Sequence, residues 1–323
     1  MTRIVLREVS PGEVRTGLIE YGILTEFRIQ RTRQTLDPGA QYEARIVSRI
    51  SATSALVTLD SGGEALLENA PALAEGARLA VEIVRPPIPE PGRWKRALVR
   101  PASGLSALGE DPIAVSTDRD AIEAAGFDEL CEAAVTGEFP IEGGMLSIER
   151  TRAMTMIDID GSGDALALNL TAAREIPRLL RLLDIGGQIG IDFLSLPNRK
   201  ARLAVDTALG EACAVLGQHE RTALNGFGFA QIVRPRTRLS IPEILCGITP
   251  GRLSVESRAL GLLRIAAQSV GHGKRQLVAT SAVIGVLKCW PEELAALQKS
   301  HGVEIELVSD PQATGYGYVH ASS

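Results

Sequence analysis

Two short β-prone runs, MTMIDIDGSGD at 154–164 and IGGQIGIDFLSL at 185–196, stand on either side of a helical pattern, and each carries an aspartate among aliphatics. Strand alternation sends Met156, Asp158 and Asp160 to one face of the first run and Ile157 and Ile159 to the other. Between the runs, Ala172, Ile176, Leu179 and Leu183 recur at helical spacing and predict a helix from about Thr171 to Leu183. The gap of 34 residues between Asp158 and Asp192 fits strand–helix–strand, a connection that returns the second strand beside the first. The two carboxylates are then expected side by side at one end of a sheet. So close, they repel unless a cation bridges them or a proton is shared. A hard, oxygen-seeking ion such as Mg²⁺ answers that need, and it can polarise a phosphoryl oxygen and activate a water for phosphodiester hydrolysis. The same spacing also fits two strand-end aspartates that only cap turns.

A calcium loop is the other chemistry that DIDGSGDALALN suggests. Asp158, Asp160 and Ser162 fall at its positions one, three and five, and Gly163 at six, but the twelfth is Asn169, which lacks the bidentate carboxylate required. The preceding MTMI also reads as strand rather than as an entering helix.

The chain has 323 residues, 45% hydrophobic and 23% charged, enough for two to three domains with buried cores. The longest nearly apolar stretch, Leu277 to Leu287, is 11 residues and is interrupted by Thr280 and Ser281, where a bilayer span needs about 20. The N-terminus alternates charge with aliphatics and lacks the core of a secretory signal. A cytoplasmic protein with no membrane partner is expected. Cys131, Cys213, Cys246 and Cys289 form no CxxC pair, so neither a disulfide framework nor a zinc ribbon is indicated.

Four regions follow from the patterning. Residues 1–35 read as short strands. Residues 36–101 hold four to five β-prone runs separated by turn signals, which suits an OB-type barrel with PPIPEPG as a loop. Residues 102–245 hold an acidic strand–helix unit and then the aspartate runs. Residues 246–323 read as a small α/β domain in which a helix at 256–270 precedes strands QLVATSAV and GVEIELVS. The net charge of −5 is uneven, since residues 103–150 carry 11 acidic against 2 basic side chains. Elsewhere arginines cluster, at 28–33, 93–100, 174–181, 199–202 and 234–238. Arginine outnumbers lysine 29 to 5, and its planar fork suits phosphate, so an anionic polymer is a candidate partner. Solvated helix faces explain each single cluster equally well.

ERTRAMTMIDIDGSGD, NLTAAREIPRLLRLLDIGGQIGIDFLSL and FGFAQIVRPR together resemble, in this order, the catalytic core of the ribonuclease E/G family. The resemblance implies a mixed α/β (α+β) fold: an OB-type β-barrel inserted in a ribonuclease-H-like nuclease core, with a small C-terminal α/β domain. It implies an Mg²⁺-dependent endoribonuclease acting on single-stranded RNA. Asp158 and Asp192 fall on the family's metal-binding aspartates, and Asp160 falls where the family has an asparagine that helps to position the metal or the phosphate. Lys95, Arg178, Arg181, Arg234 and Arg236 fall on basic positions expected to meet RNA.

The departures are equally specific. Ala102 leads almost directly into the acidic strand–helix unit, so the insert that forms the family's 5′-monophosphate pocket is missing. The CPRC zinc link is absent, which argues against a zinc-linked dimer and leaves other homo-oligomer contacts open. Basic positions near the site become Leu183 and Gly226, and the barrel's stacking phenylalanines become Leu56 and Leu66, with Trp94 and Tyr42 the nearby aromatics. A non-catalytic RNA-binding or ribosome-associated protein that keeps the fold is the second expectation.

Overall fold

The expected strand–helix–strand is present at the centre of a six-stranded sheet. The computed structural model describes residues 3–33, 36–102, 114–270 and 273–321. The first aspartate run forms the strand Thr155–Gly161 and the second the strand Gly187–Asp192, paired in parallel. The helix between them, Ala165–Leu182, starts earlier than the periodicity predicts, because Asp164 caps it and accepts the Leu166 N–H at 3.0 Å. The predicted stripe is realised: Ala172, Ile176, Leu179 and Leu183 are all buried. The full strand order is Glu138–Ile141, Gly144–Arg150, Thr155–Gly161, Gly187–Asp192, Phe229–Arg234 and Glu220–Arg221, in which the parallel pair is flanked by antiparallel neighbours.

The chain divides into two compact units. One takes Met1–Arg33, Ala114–Thr136 and Ile244–Ser323, and the other takes Gln34–Ile113 and Gly137–Glu243, which includes the sheet just described.

In the second unit, Gln41–Arg49, Ser54–Leu59, Glu64–Glu68, Arg78–Arg85 and Ala97–Pro101 close into a five-stranded barrel. All its ladders are antiparallel except the one joining the third and fifth strands, the connectivity of an OB-type barrel. Alternation fills it: Ala44, Ile46, Ala55, Val57, Ala65, Leu67, Val81, Ile83, Ala97 and Val99 point inward. The expected PPIPEPG loop is partly a ribbon, in which Ile88–Glu90 pairs with Arg93–Lys95.

In the first unit, the N-terminal strands are longer than expected. Arg3–Ser10, Glu13–Glu20 and Ile23–Arg31 form an antiparallel meander, and Ala114–Ser116 adds in parallel to its edge. The acidic segment continues as two helices, Arg119–Ala124 and Phe127–Thr136, separated at Gly126, which has φ +71°. The C-terminal part has the helix Val255–Gln268 and a three-stranded sheet of Arg275–Ala279, Ile305–Ser309 and Tyr318–Ala321. The run QLVATSAV is not one strand. The strand stops at Ala279, and the helix Ser281–Lys288 begins after Thr280. Among the described residues no helix is long and apolar enough to cross a membrane.

Candidate active site

Strand register sets a row of four residues across the sheet: Ser147, Asp158, Asp192 and Phe229 are successive partners on adjacent strands. Asp158 and Asp192 are therefore direct neighbours, about 4.8 Å apart along the hydrogen-bonding direction. The alternating face holds: Ile157 and Ile159 are buried, whereas Asp158, Asp160 and Asp192 are exposed. Asp160 lies two residues further along the same face, about 7 Å from Asp158. Among the described residues, none of the three carboxylates takes a hydrogen bond or an ion pair from the protein. Asp158 and Asp192 therefore cap no turn, whereas Asp164 beside them caps the helix.

The floor beside the acidic pair is apolar. A Cβ on Gly190 would come within 2.8 Å of both the Met156 sulfur and the Phe229 ring, so glycine lets these two side chains close over the strand. The exits of the strands are also fixed. Asn169, fully buried on the helix, donates to the Leu194 carbonyl at 2.8 Å and accepts the Leu194 N–H at 3.1 Å, two residues beyond Asp192. This residue occupies the twelfth place of the supposed calcium loop, and it serves as a backbone clamp. On the next strand, the Asn225 side-chain carbonyl accepts the N–H groups of Phe227 and Phe229, and Phe193 donates to the Gly228 carbonyl at 2.9 Å. Asn169, Asn225 and Phe227 are absent from the expected site residues. A lone asparagine in an apolar helix and the turn signal NGFG were the available cues.

The donor set suits a hard divalent ion. Two adjacent, exposed carboxylates with no protein donor of their own offer oxygen ligands, and Mg²⁺ is typically held by one or two carboxylates with waters and phosphate oxygens completing the octahedron. Among the described residues no group of three or more His, Cys, Asp or Glu side chains gathers into an all-protein metal cage, at this acidic row or elsewhere.

The expected RNA-binding residues divide into two sets. Lys95 is exposed on the short ribbon, Arg178 is half-buried and paired with Glu175 at 2.7 Å, and Arg181 is half-buried in the last turn of its helix. Arg234 and Arg236 are tied to groups remote in the helix–strand core or in the following segment. Arg234 Nη1 donates to the carbonyls of Leu180 at 2.9 Å and Ile185 at 2.8 Å. Arg236 pairs with Glu243, whose other oxygen accepts the Ser240 N–H. Burial, with Arg85 and Arg150 nearby, pushes Arg236 down to about 10. Other cluster arginines are likewise paired: Arg96 with Glu64, Arg100 with Glu82, and Arg238 with Asp184.

The departures also find their places. Leu183 is completely buried, so a basic residue there would need a different core. Gly226 has open space around its Cβ direction. Leu56 and Leu66 are direct cross-strand partners on the outer face of the barrel. Tyr42 packs against the barrel core, and Trp94 is 57% exposed on the ribbon.

Residues 109–237 match the model of the Ribonuclease E/G family. Ribonuclease G of Escherichia coli (strain K12) is 35% identical over 120 residues, which cover 33% of this chain and 24% of that protein. Ribonuclease G of Haemophilus influenzae is 29% identical over 160 residues, covering 45% and 32% of the two chains. Ribonuclease E of Escherichia coli (strain K12) is 34% identical over 139 residues, or 38% of this chain and 13% of that one. The matched part thus spans a third or less of the length of these relatives. Within this chain it contains the whole row of aspartates, the clamping helix and the Asn225 turn, and in this segment the chain is similar to the ribonuclease E/G family.

Proposed function

We propose that the chain is a metal-dependent endoribonuclease that hydrolyses phosphodiester bonds of single-stranded RNA. The register pairing of Asp158 with Asp192 carries this reading, supported by the relatives named Ribonuclease G and Ribonuclease E. Asp158 and Asp192 would hold Mg²⁺, with waters as the remaining ligands. When bound, such an ion polarises a phosphoryl oxygen and lowers the pKa of a water. The chain's own residues do the rest. The parallel ladder holds the two carboxylates at fixed separation, Asp160 adds negative charge on the same face, and Met156 and Phe229 exclude water from one side. Lys95, Arg178 and Arg181 supply positive charge for phosphates of the bound strand.

The reading includes indifference to the RNA's 5′ end. The barrel's last strand ends at Pro101 and the next described strand begins at Ala114, and this short separation in sequence supports that part of the proposal. It also includes a cytoplasmic place of action and, since Cys246 stands alone without a CPRC motif, no zinc-linked dimer.

Incubation of labelled single-stranded RNA with the protein, in Mg²⁺ or in EDTA, tests the proposal. Cleavage is expected only with Mg²⁺, and Asp158→Asn or Asp192→Asn is expected to abolish it while the melting temperature is kept. Equal activity in either variant and the wild type would overturn the metal site. RNAs with a 5′ monophosphate, triphosphate or hydroxyl should be cut at similar rates, and a tenfold preference would overturn that part. The aliphatic Leu56–Leu66 pair favours one second reading, a non-catalytic RNA-binding protein. Tight binding without cleavage in Mg²⁺ would establish it.

A further inference from the structure

Phe227 is 90% exposed, the highest exposure among the large hydrophobic side chains described, in a chain with only 12 aromatic residues. A single exposed apolar residue on a loose loop carries no meaning. The backbone under this one is fixed. Its N–H donates to the Asn225 side-chain carbonyl at 2.9 Å, the Phe229 N–H joins the same oxygen at 3.0 Å, and Asn225 N–H returns to the Phe229 carbonyl at 3.0 Å. Gly228 has φ +90°, and a Cβ there would come within 2.6 Å of the Phe193 carbonyl, so the turn is pressed against the residue that follows Asp192. Three hydrogen bonds and one close backbone contact thus hold the turn that presents this ring to water.

Position narrows what the ring is for. Phe229 is the register partner of Asp192, and Phe227 lies two residues before it. The Phe227 backbone is therefore within about 13 Å of Asp192, from about 7 Å along the chain and about 5.5 Å across the ladder. At this distance the ring would lie within reach of a base neighbouring a phosphate held at the acidic pair. The barrel offers no aromatic pair of its own at Leu56 and Leu66.

We infer that Phe227 is a stacking platform for a base of single-stranded RNA next to the acidic pair, a positioning residue of the site under Proposed function, on which this inference rests. Stacking on an aromatic face is tolerant of base identity, so the ring contributes affinity and placement rather than sequence choice.

Binding of a fluorescent single-stranded oligouridine, measured by anisotropy in EDTA across a salt series, tests it. Phe227→Ala should weaken binding by between about fivefold and a hundredfold, with the slope of log Kd against log salt unchanged. Phe227→Trp should restore affinity and Phe227→Leu should not. An oligonucleotide of abasic residues should bind the wild type and Phe227→Ala alike. Because the ring is exposed, the variant's melting temperature should equal that of the wild type. Unchanged affinity in Phe227→Ala would overturn the inference while leaving RNA binding intact, and would point to a protein-facing ring. Restoration by leucine would replace stacking with simple apolar contact and overturn it too. A wild type that binds no RNA would instead overturn the reading under Proposed function, and the inference with it.

Discussion

Asn169 holds both backbone polar groups of Leu194 from a fully buried position on the helix that links the two aspartate strands. The chain leaving Asp192 is therefore tied to the same helix that follows Asp158 and Asp160. One side chain couples the two halves of the acidic pair. Asn169→Ala leaves the Leu194 N–H and carbonyl without their partner, at about 1–3 kcal/mol for each group left unsatisfied. The expected outcome is a lower melting temperature together with a fall in kcat at little change in KM, measured on the same RNA. An unaltered kcat would show that the clamp serves stability alone.

The arginine pairings separate structural from RNA-facing charge. Arg234→Ala removes the donor shared by the Leu180 and Ile185 carbonyls and should lower the melting temperature while leaving the salt dependence of RNA binding unchanged. Lys95→Ala combined with Arg178→Ala should do the reverse. Each lost phosphate contact reduces the slope of log affinity against log salt by about 0.7 on single strands, so the pair should reduce it by about 1.4. A reduced slope in Arg234→Ala would place that guanidinium on RNA.

Leu56 and Leu66 face each other across two strands of the barrel while their neighbours Ala55, Val57, Ala65 and Leu67 fill its interior. Replacing both with phenylalanine therefore adds ring area outside the core. If RNA crosses this face, the double variant should bind single-stranded RNA between about fivefold and a hundredfold more tightly. Unchanged affinity at unchanged melting temperature would mean that RNA takes another path.

Glu13 is 2% exposed and pairs with Arg15 at 3.1 Å, Arg31 at 3.1 Å and Arg264 at 3.2 Å. Burial alone would raise its pKa, but Arg31, Arg15 and Arg264 outweigh burial and hold the carboxyl below its usual range. A depressed folded pKa contributes stability that is present above the unfolded pKa and is lost as pH falls through the folded one. Stability should therefore decline below about pH 4.5, the usual range for this carboxyl. Glu13→Gln should cost at most about 3–5 kcal/mol at neutral pH, since Arg31 loses its carboxylate while Arg15 and Arg264 keep Asp128, and should flatten that acid limb in a denaturant titration series. An acid limb of the same steepness in the variant would assign the loss to other carboxylates.

The parallel strands, the intervening helix and the five-stranded barrel are legible in the sequence because each depends on local periodicity. Ile157 and Ile159 alternate with Asp158 and Asp160, the stripe from Ala172 to Leu183 repeats at helical spacing, and barrel strands alternate between core and surface. Periodicity also places Asp158 near Asp192, since a strand–helix–strand of this length can close in few other ways. The ends of elements were less legible. QLVATSAV reads as one β run, but a helix starts after Thr280 and its apolar face is claimed by the C-terminal core around Leu262, Leu277 and Leu287.

Only the tertiary structure decides which polar side chains are committed to the protein itself. Arg234 and Lys95 are both basic residues in family-like positions, yet one holds the carbonyls of Leu180 and Ile185, remote in sequence, and the other stands in water. Asn169 looks like a failed calcium ligand until Leu194 is brought against it. Phe227 carries no local signal of its role, and the Asn225 turn holds it out in water. In each case the partner lies tens of residues away or is water, so burial and hydrogen bonding across the fold, rather than local pattern, set the role.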